Sequence, residues 1–109
     1  MRLTTHIGDV DLAEAFKTYI DRRLRFVLGR FGERVGEVTV RIGGDGPGQN
    51  RCRISTEMLP FGRVAIEESG HDLFSAIDRA TGRIGRLFGR ELDRVRNARV
   101  RRESVRLAA

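Results

Sequence analysis

The stretch DLFSAIDRATGRIGRLFGRELDRVR, residues 72–96, decides the fold. Its apolar residues recur every three or four positions from Leu73 to Val95, so they form one stripe on a helical wheel. A second line on the flank of that stripe, the arginine row, consists of Arg79, Arg83, Arg86, Arg90 and Arg94. No acidic residue interrupts this row, so we expect that no carboxylate on the same face of the helix cancels its charges. The pattern predicts a helix that rests its apolar face on a core and holds a negatively charged partner beside it.

The residues upstream predict four strands and one further helix. Alternation of apolar and polar residues is typical of strands with one buried face, and apolar residues three or four apart are typical of a helix. The predicted elements are strands 2–7, 38–42, 51–59 and 63–68, and helices 11–28 and 72–96. Because each strand has one apolar face, we predict an α+β fold of order β-α-β-β-β-α. A four-stranded mixed sheet would carry both helices packed on one face.

Length and charge predict one domain with a basic end. The chain has 109 residues, and we assign residues 1–96 to a single domain. Residues 97–109 are rich in arginine and lose the apolar period, so we expect a disordered tail. The net charge is +6, and residues 71–109 hold ten arginines against five acids. All but one of the 21 basic residues are arginine, which suits phosphate contact and equally fits a high genomic GC content.

The sequence shows no sign of membrane insertion, secretion or catalysis. No apolar run approaches the roughly 20 residues of a membrane span, no secretory signal is visible, and the lone Cys52 excludes an internal disulfide. Cys52 falls on the inward side of a predicted central strand. Glu67 and Glu68 are adjacent in a strand, so they point to opposite faces and cannot act as a carboxylate pair. We predict a cytoplasmic protein that is not an enzyme and has no cofactor, metal, membrane partner or small-molecule substrate.

A second, weaker line lies on the first helix. Tyr19, Arg23, Phe26 and Arg30 follow steps of four, three and four beside the apolar stripe. Alternating aromatic and guanidinium groups often grip single-stranded nucleic acid by stacking and phosphate contact. Alternatively, the two aromatic side chains widen the core where the helices meet. We predict the core position for Tyr19 and Phe26, and RNA contact for Arg23 and Arg30.

Three glycines share the flank of the last helix opposite the arginine row: Gly82, Gly85 and Gly89. Each costs a helix interior about 1 kcal/mol relative to alanine, so a compensating role is expected. A flank of small residues allows another backbone to approach closely. The simplest interpretation is that the first helix lies alongside; approach by an RNA backbone is the alternative.

The segment HDLFSAIDRATGRIGRLFGRE resembles a known pattern. Asp72, the apolar–aromatic pair Leu73–Phe74, the run Ala76–Asp78 and the basic residues that follow resemble the ribosome hibernation promoting factor family. The same family is known as the ribosome-associated inhibitors or sigma-54 modulation proteins. The upstream helix with Arg23 and the segment EVTVRI are similar in spacing, and the likeness spans about residues 2–95.

The resemblance implies a protein that docks on the small ribosomal subunit, in the channel used by mRNA and tRNA. Bound there, it would block translation while ribosomes are stored under stress or in stationary phase. Arg83, Arg86 and Arg90 match the family's recurring basic positions. The residues expected to contact rRNA are these three, with Arg79, Arg94, Arg23 and Arg30 in support.

The chain is similar to the short form of the family, without the second domain that pairs ribosomes, and we predict a monomer away from the ribosome. Two alternatives belong to other classes of function. A divergent paralogue could be a protein-interaction regulator whose arginine row meets an acidic protein surface. It could also be a general RNA-binding module that recognises duplex shape.

Overall fold

The four strands form one sheet because each alternates apolar and polar residues. The computed structural model describes residues 1–7, 10–43 and 50–108. The elements are β1 (Arg2–Ile7), α1 (Val10–Leu28), a 3-10 helix (Gly29–Arg34), β2 (Val35–Gly43), β3 (Asn50–Met58), β4 (Gly62–Gly70) and α2 (Leu73–Ala108). The predicted order β-α-β-β-β-α is confirmed. Helix α1 begins one residue earlier than predicted, and β2 begins three residues earlier.

The sheet has the strand order β1-β2-β3-β4. Strand β1 runs parallel to β2, with Leu3 aligned on Val38, as expected for two strands joined through a helix. Strands β2, β3 and β4 pair antiparallel, and Ile54 of β3 lies between Val40 and Ile66. The apolar residues of all four strands are therefore in register on one face of the predicted mixed sheet.

Both helices pack their apolar stripes against that face. The buried helix residues are Phe16, Ile20, Leu24 and Leu28 of α1, and Ala76, Ile77, Ala80, Ile84, Phe88 and Leu92 of α2. They belong to one core cluster with the inward side chains of the sheet. The opposite side of the sheet, here called the open face, exposes Arg41 and Arg53, which are direct cross-strand neighbours.

Only two residues separate the end of β4 from the start of helix α2. The Asp72 side chain accepts a hydrogen bond from the backbone N–H of Ser75 (2.7 Å), which makes it the N-cap. That hydrogen bond lowers the pKa of Asp72 from its usual value. A β-carbon on Gly70 would lie 2.8 Å from the β-carbon of Ser75, so only glycine allows β4 to approach the helix this closely.

Helix α2 ends later than we predicted. It continues from residue 97, where we expected disorder to begin, as far as Ala108. Residues 90–108 contain no glycine or proline, and the arginines, alanines and leucines among them have high helix propensity. The helix therefore continues beyond Val95, the last of the described side chains of α2 that pack on the core. The division into a domain and a tail at residue 96 stays a prediction. No described helix combines the length and apolar character that crossing a bilayer requires.

Candidate nucleic-acid interface

The glycine flank of α2 is the contact surface for α1. A β-carbon on Gly85 would lie 3.0 Å from the β-carbon and 3.2 Å from the carbonyl oxygen of Val27. One turn further on, the rings of Phe31 and Phe88 lie 4.7 Å apart. The prediction that the first helix lies alongside this flank is confirmed at Gly85. Gly82 faces only the Arg86 side chain of its own helix, and Gly89 faces Arg30 and Phe31 of the 3-10 helix. This close approach brings the outer surfaces of the two helices together into one continuous face.

A polar cluster joins the same two helices nearer the start of α2. The Tyr19 hydroxyl donates a hydrogen bond to Asp78, and the Arg23 Nε lies 3.8 Å from the same carboxylate. Arg23 also donates to the Thr81 hydroxyl (3.3 Å). The hydrogen bond to Asp78 raises the pKa of Tyr19 above its usual value. The position predicted for Tyr19, where the two helices meet, is confirmed. Arg23, for which we predicted RNA contact, forms its contacts with Thr81 and Asp78 of the same protein.

Two members of the arginine row have carboxylate partners. Arg83 Nη1 lies 2.6 Å from Glu68 Oε1, and Arg94 Nη2 lies 2.9 Å from Glu91 Oε2. Both carboxylates come from outside the line of the row, so fewer of its charges are uncancelled than the spacing of the arginines alone indicates. The reason is that β4 lies under this flank of α2, and strand alternation directs Glu68 toward the helix. Glu91 reaches Arg94 from one turn earlier in α2.

The remaining members of the row have different surroundings. Arg79 Nη1 donates to the backbone carbonyl of Ser69 (3.3 Å). Arg86 and Arg90 are exposed and form no ion pair within the described part of the chain. The Arg86 guanidinium extends back along α2, because its Nη1 lies 3.4 Å from the position of a β-carbon on Gly82, one turn earlier in the same helix.

Arg30 reaches the same surface from the 3-10 helix that follows α1. Its guanidinium carbon lies 4.6 Å from the centre of the Phe31 ring, a cation–π distance. Its Nη2 lies 3.2 Å from the position of a β-carbon on Gly89. The outer helix face, defined as the exposed side of α1, the 3-10 helix and α2 that carries Arg30, Arg86 and Arg90, is thus electropositive. Such a face can donate charge-assisted hydrogen bonds to phosphate oxygens.

The comparisons with known proteins agree with this architecture. The sequence profile of the family described as sigma 54 modulation protein / S30EA ribosomal protein matches residues 3–96. The chain belongs to this family. The match covers the sheet, α1 and the part of α2 that carries the arginine row. It confirms the resemblance drawn from the segment around Asp72.

Solved structures are similar to this S30EA-family protein over most of its length. The N-terminal domain of Thermus thermophilus Protein Y is 27% identical, with a TM-score of 0.69, and the match covers 83% of this chain and 98% of that one. A ribosomal subunit interface protein from Coxiella burnetii has a TM-score of 0.73 over 85% of this chain and 99% of that one. At 9% identity, the second likeness shows the fold alone. A comparison with curated sequences found no significant match.

One predicted core residue of this S30EA-family protein lies elsewhere. Phe26 is 80% exposed, so the prediction that it widens the core is wrong. Phe26 lies on the part of α1 that α2 does not cover, whereas Tyr19 lies in the contact between the two helices. Sequence spacing alone could not separate the two positions, because the angle at which α1 meets α2 determines which flank is covered.

Cys52 of the S30EA-family protein has the inward position that alternation predicted. It is buried in the sheet, and burial raises the pKa of its thiol to about 12. At neutral pH it is therefore a thiol rather than a nucleophilic thiolate. The described residues include no group of three or more side chains placed to bind a metal ion.

Proposed function

We propose that this protein binds the rRNA of the small ribosomal subunit through the outer helix face and inhibits translation while bound. Its family includes proteins described as ribosomal, and a fold relative is described as a subunit interface protein. As a hibernation factor it would act in the cytoplasm under stress or in stationary phase. It would bind as a single copy and need no cofactor.

The observation that carries this proposal is the set of uncancelled guanidiniums on the outer helix face. Arg86, Arg90 and Arg30 are exposed and, among the residues that the structure describes, pair with no carboxylate. Guanidinium groups match phosphate oxygens in a planar, bidentate geometry. Because these guanidiniums lie on one face of packed helices, they can contact several phosphates of a folded RNA backbone.

The paired arginines of the row can support the same contact. The Arg83 side chain is 55% exposed and that of Arg94 is 72% exposed, despite their partners. An ion pair at such a surface contributes about 0–1 kcal/mol, so a phosphate can replace Glu68 or Glu91 at small cost. Arg79 and Arg23 are already bonded within the protein, and we assign them to the edge of the contact.

The proposal is tested by removing two charges from the outer helix face and, separately, two from the open face. The variant Arg86→Gln/Arg90→Gln is compared with Arg41→Gln/Arg53→Gln, which lowers the net charge of +6 by the same amount. We expect only the first variant to lose affinity for purified small subunits, by about tenfold or more for each arginine. The slope of log affinity against log salt should become less negative by about 1.5, because two phosphate contacts are lost.

Sedimentation with small subunits at several salt concentrations measures both quantities, and thermal unfolding checks that the variants fold. Equal losses in the two variants would show that net charge alone matters and would contradict the assigned surface. Capture of a protein partner that survives ribonuclease would favour the interaction regulator. Equal affinity for free RNA duplexes and for small subunits would favour the general RNA-binding module.

A further inference from the structure

Phe26 is the most exposed large apolar side chain in the described part of the chain. Its exposed fraction is 80%, compared with 51% for Phe74. The ring of Phe74 packs edge-on against Phe16 and Tyr19, at 4.7 Å and 5.3 Å between ring centres. Phe26 has no such ring contact and is not among the described residues that pack on the core. Most of the surface of its ring is therefore available to a partner.

Exposure alone does not indicate a site, since single exposed apolar residues are common. The surroundings of Phe26 are what distinguish it. Three and four residues before it on α1 are Arg23 and Arg22, and three and four residues after it, at the start of the 3-10 helix, are Gly29 and Arg30. None is acidic, and the space around Gly29 is open. The ring thus stands among three guanidinium-bearing side chains with room beside it.

The arginines beside Phe26 are partly fixed in place. Arg30 is held over the ring of Phe31, and Arg23 is held by Thr81. Arg22 is exposed and forms no ion pair with any described residue. A donor that is already oriented loses less conformational entropy on binding, so Arg30 is suited to hold one phosphate beside the ring.

We infer that Phe26 is a stacking platform for an unpaired base, with Arg30 and Arg22 contacting the phosphates on either side of that nucleotide. This inference rests on the proposed function and specifies it, because it requires the rRNA at the outer helix face to present an unstacked base. A nucleotide offers both a π-face for the ring and an anion for the arginines. An apolar protein surface would bury the ring only by desolvating the surrounding guanidiniums.

The chemistry of stacking makes a specific prediction for small-subunit binding. Phe26→Ala should weaken binding by about 5-fold to 150-fold, the range found for aromatic residues that stack on bases. The slope of log affinity against log salt should not change, since stacking releases no counterions. This unchanged slope separates Phe26 from Arg86 and Arg90, whose loss flattens the same plot.

Two matched variants identify the type of contact. Phe26→Leu keeps an apolar side chain but removes the π-face, so it should bind as weakly as Phe26→Ala. Phe26→Trp restores a larger π-face and should bind at least as tightly as the wild type. Because Phe26 does not pack on the core, all three variants should unfold at nearly the wild-type temperature.

The chain contains no tryptophan, so Phe26→Trp also provides a single fluorescent reporter at the platform. Its emission should be quenched by a single-stranded oligoadenylate and unaffected by the same length of RNA duplex, whose bases are already stacked. Titration at fixed salt measures this directly, with Leu59→Trp, at an exposed turn, as the control reporter.

The outcomes separate this inference from the proposed function. If wild type binds small subunits but Phe26→Ala binds equally well and Trp at position 26 is not quenched, the platform is wrong and the proposed function stands. If wild type does not bind small subunits but the oligoadenylate quenches the reporter, the platform stands and the ribosome assignment fails. Full binding by Phe26→Leu together with loss in Phe26→Ala would indicate an apolar protein contact and overturn the stacking role.

Discussion

At the scale of single residues, the carboxylate of Asp78 links the two helices by contacting two side chains of α1. Asp78 accepts a hydrogen bond from the Tyr19 hydroxyl and lies near Arg23, so its negative charge partly neutralises this arginine. The same cluster explains why Arg23 is less suited to phosphate contact than Arg30, which lies over an aromatic ring. The chemistry of an arginine on this surface therefore depends on the residue opposite, not on its position in the row.

The ionisation of Tyr19 tests this cluster. Tyr19 is the only tyrosine, so the phenolate absorbance during an alkaline titration reports on it alone. We expect a midpoint above the usual value of 10.0, because the hydrogen bond to Asp78 favours the protonated phenol. Asp78→Ala should move the midpoint down, whereas Asp21→Ala, which removes a carboxylate from the other side of α1, should not.

The same raised pKa determines the sign of a stability effect. The Tyr19–Asp78 hydrogen bond stabilises the folded state fully below the pKa of the unfolded phenol, and this contribution is lost as pH rises through the folded pKa. Denaturant unfolding across that range should show the loss in wild type and not in Asp78→Ala. An unchanged titration midpoint in Asp78→Ala would contradict the assigned hydrogen bond.

At the scale of elements, the contact between α1 and α2 explains the glycines of α2. Gly85 faces the backbone of Val27, whereas Gly82 faces only the flexible end of the Arg86 side chain, at 3.4 Å. The same residue type therefore has two different consequences within one helix. At position 85 it permits the helices to approach, and at position 82 it only lowers helix propensity.

Alanine substitutions should separate these two roles. Gly82→Ala should raise the free energy of unfolding by up to about 1 kcal/mol, the difference in helix propensity. Gly85→Ala should lower it by about 1–3 kcal/mol, because the new methyl group meets atoms fixed to the α1 backbone and the helices must separate. Urea denaturation measures both, and a stabilised Gly85→Ala variant would show that the interhelical contact is looser than described.

At the scale of the whole molecule, α2 is longer than the sheet on which it lies. Its 36 residues span about 54 Å, whereas a strand of nine residues spans about 30 Å. The longest dimension of the molecule is 60 Å. Among the described side chains, Val95 is the last along α2 to pack on the core. Residues 96–102 therefore extend the helix without any described side chain that packs on the core, and such packing stabilises most helices.

Limited trypsin digestion tests this difference in stability along α2. Cleavage should occur first at the arginines between Arg96 and Arg106, because the projecting turns open more readily than the packed ones. The product, close to residues 1–96, should resist further digestion, and mass spectrometry identifies it. Cleavage within residues 79–94 at the same rate would show that α2 unfolds as one unit and would contradict the predicted domain boundary.

The sequence by itself determined the elements and their order, because hydrophobic periodicity depends only on the local backbone. It also identified the family through the segment around Asp72, the approach of the first helix that occurs at Gly85, and the inward position of Cys52. These features follow from residues within one element or from one alternating face. The end of α2 was missed, because helix propensity continued after the apolar period had stopped.

Only the tertiary structure decided that Arg83 has a carboxylate partner and which aromatic side chain is exposed. Glu68 reaches Arg83 from a neighbouring strand, and Tyr19 reaches Asp78 from the other helix. Phe26 is left outside this contact. Each outcome depends on how two elements are placed relative to each other, across 15 residues for the ion pair and 59 for the hydrogen bond. A one-dimensional pattern contains the charges, but the packing of the helices on the sheet determines their partners.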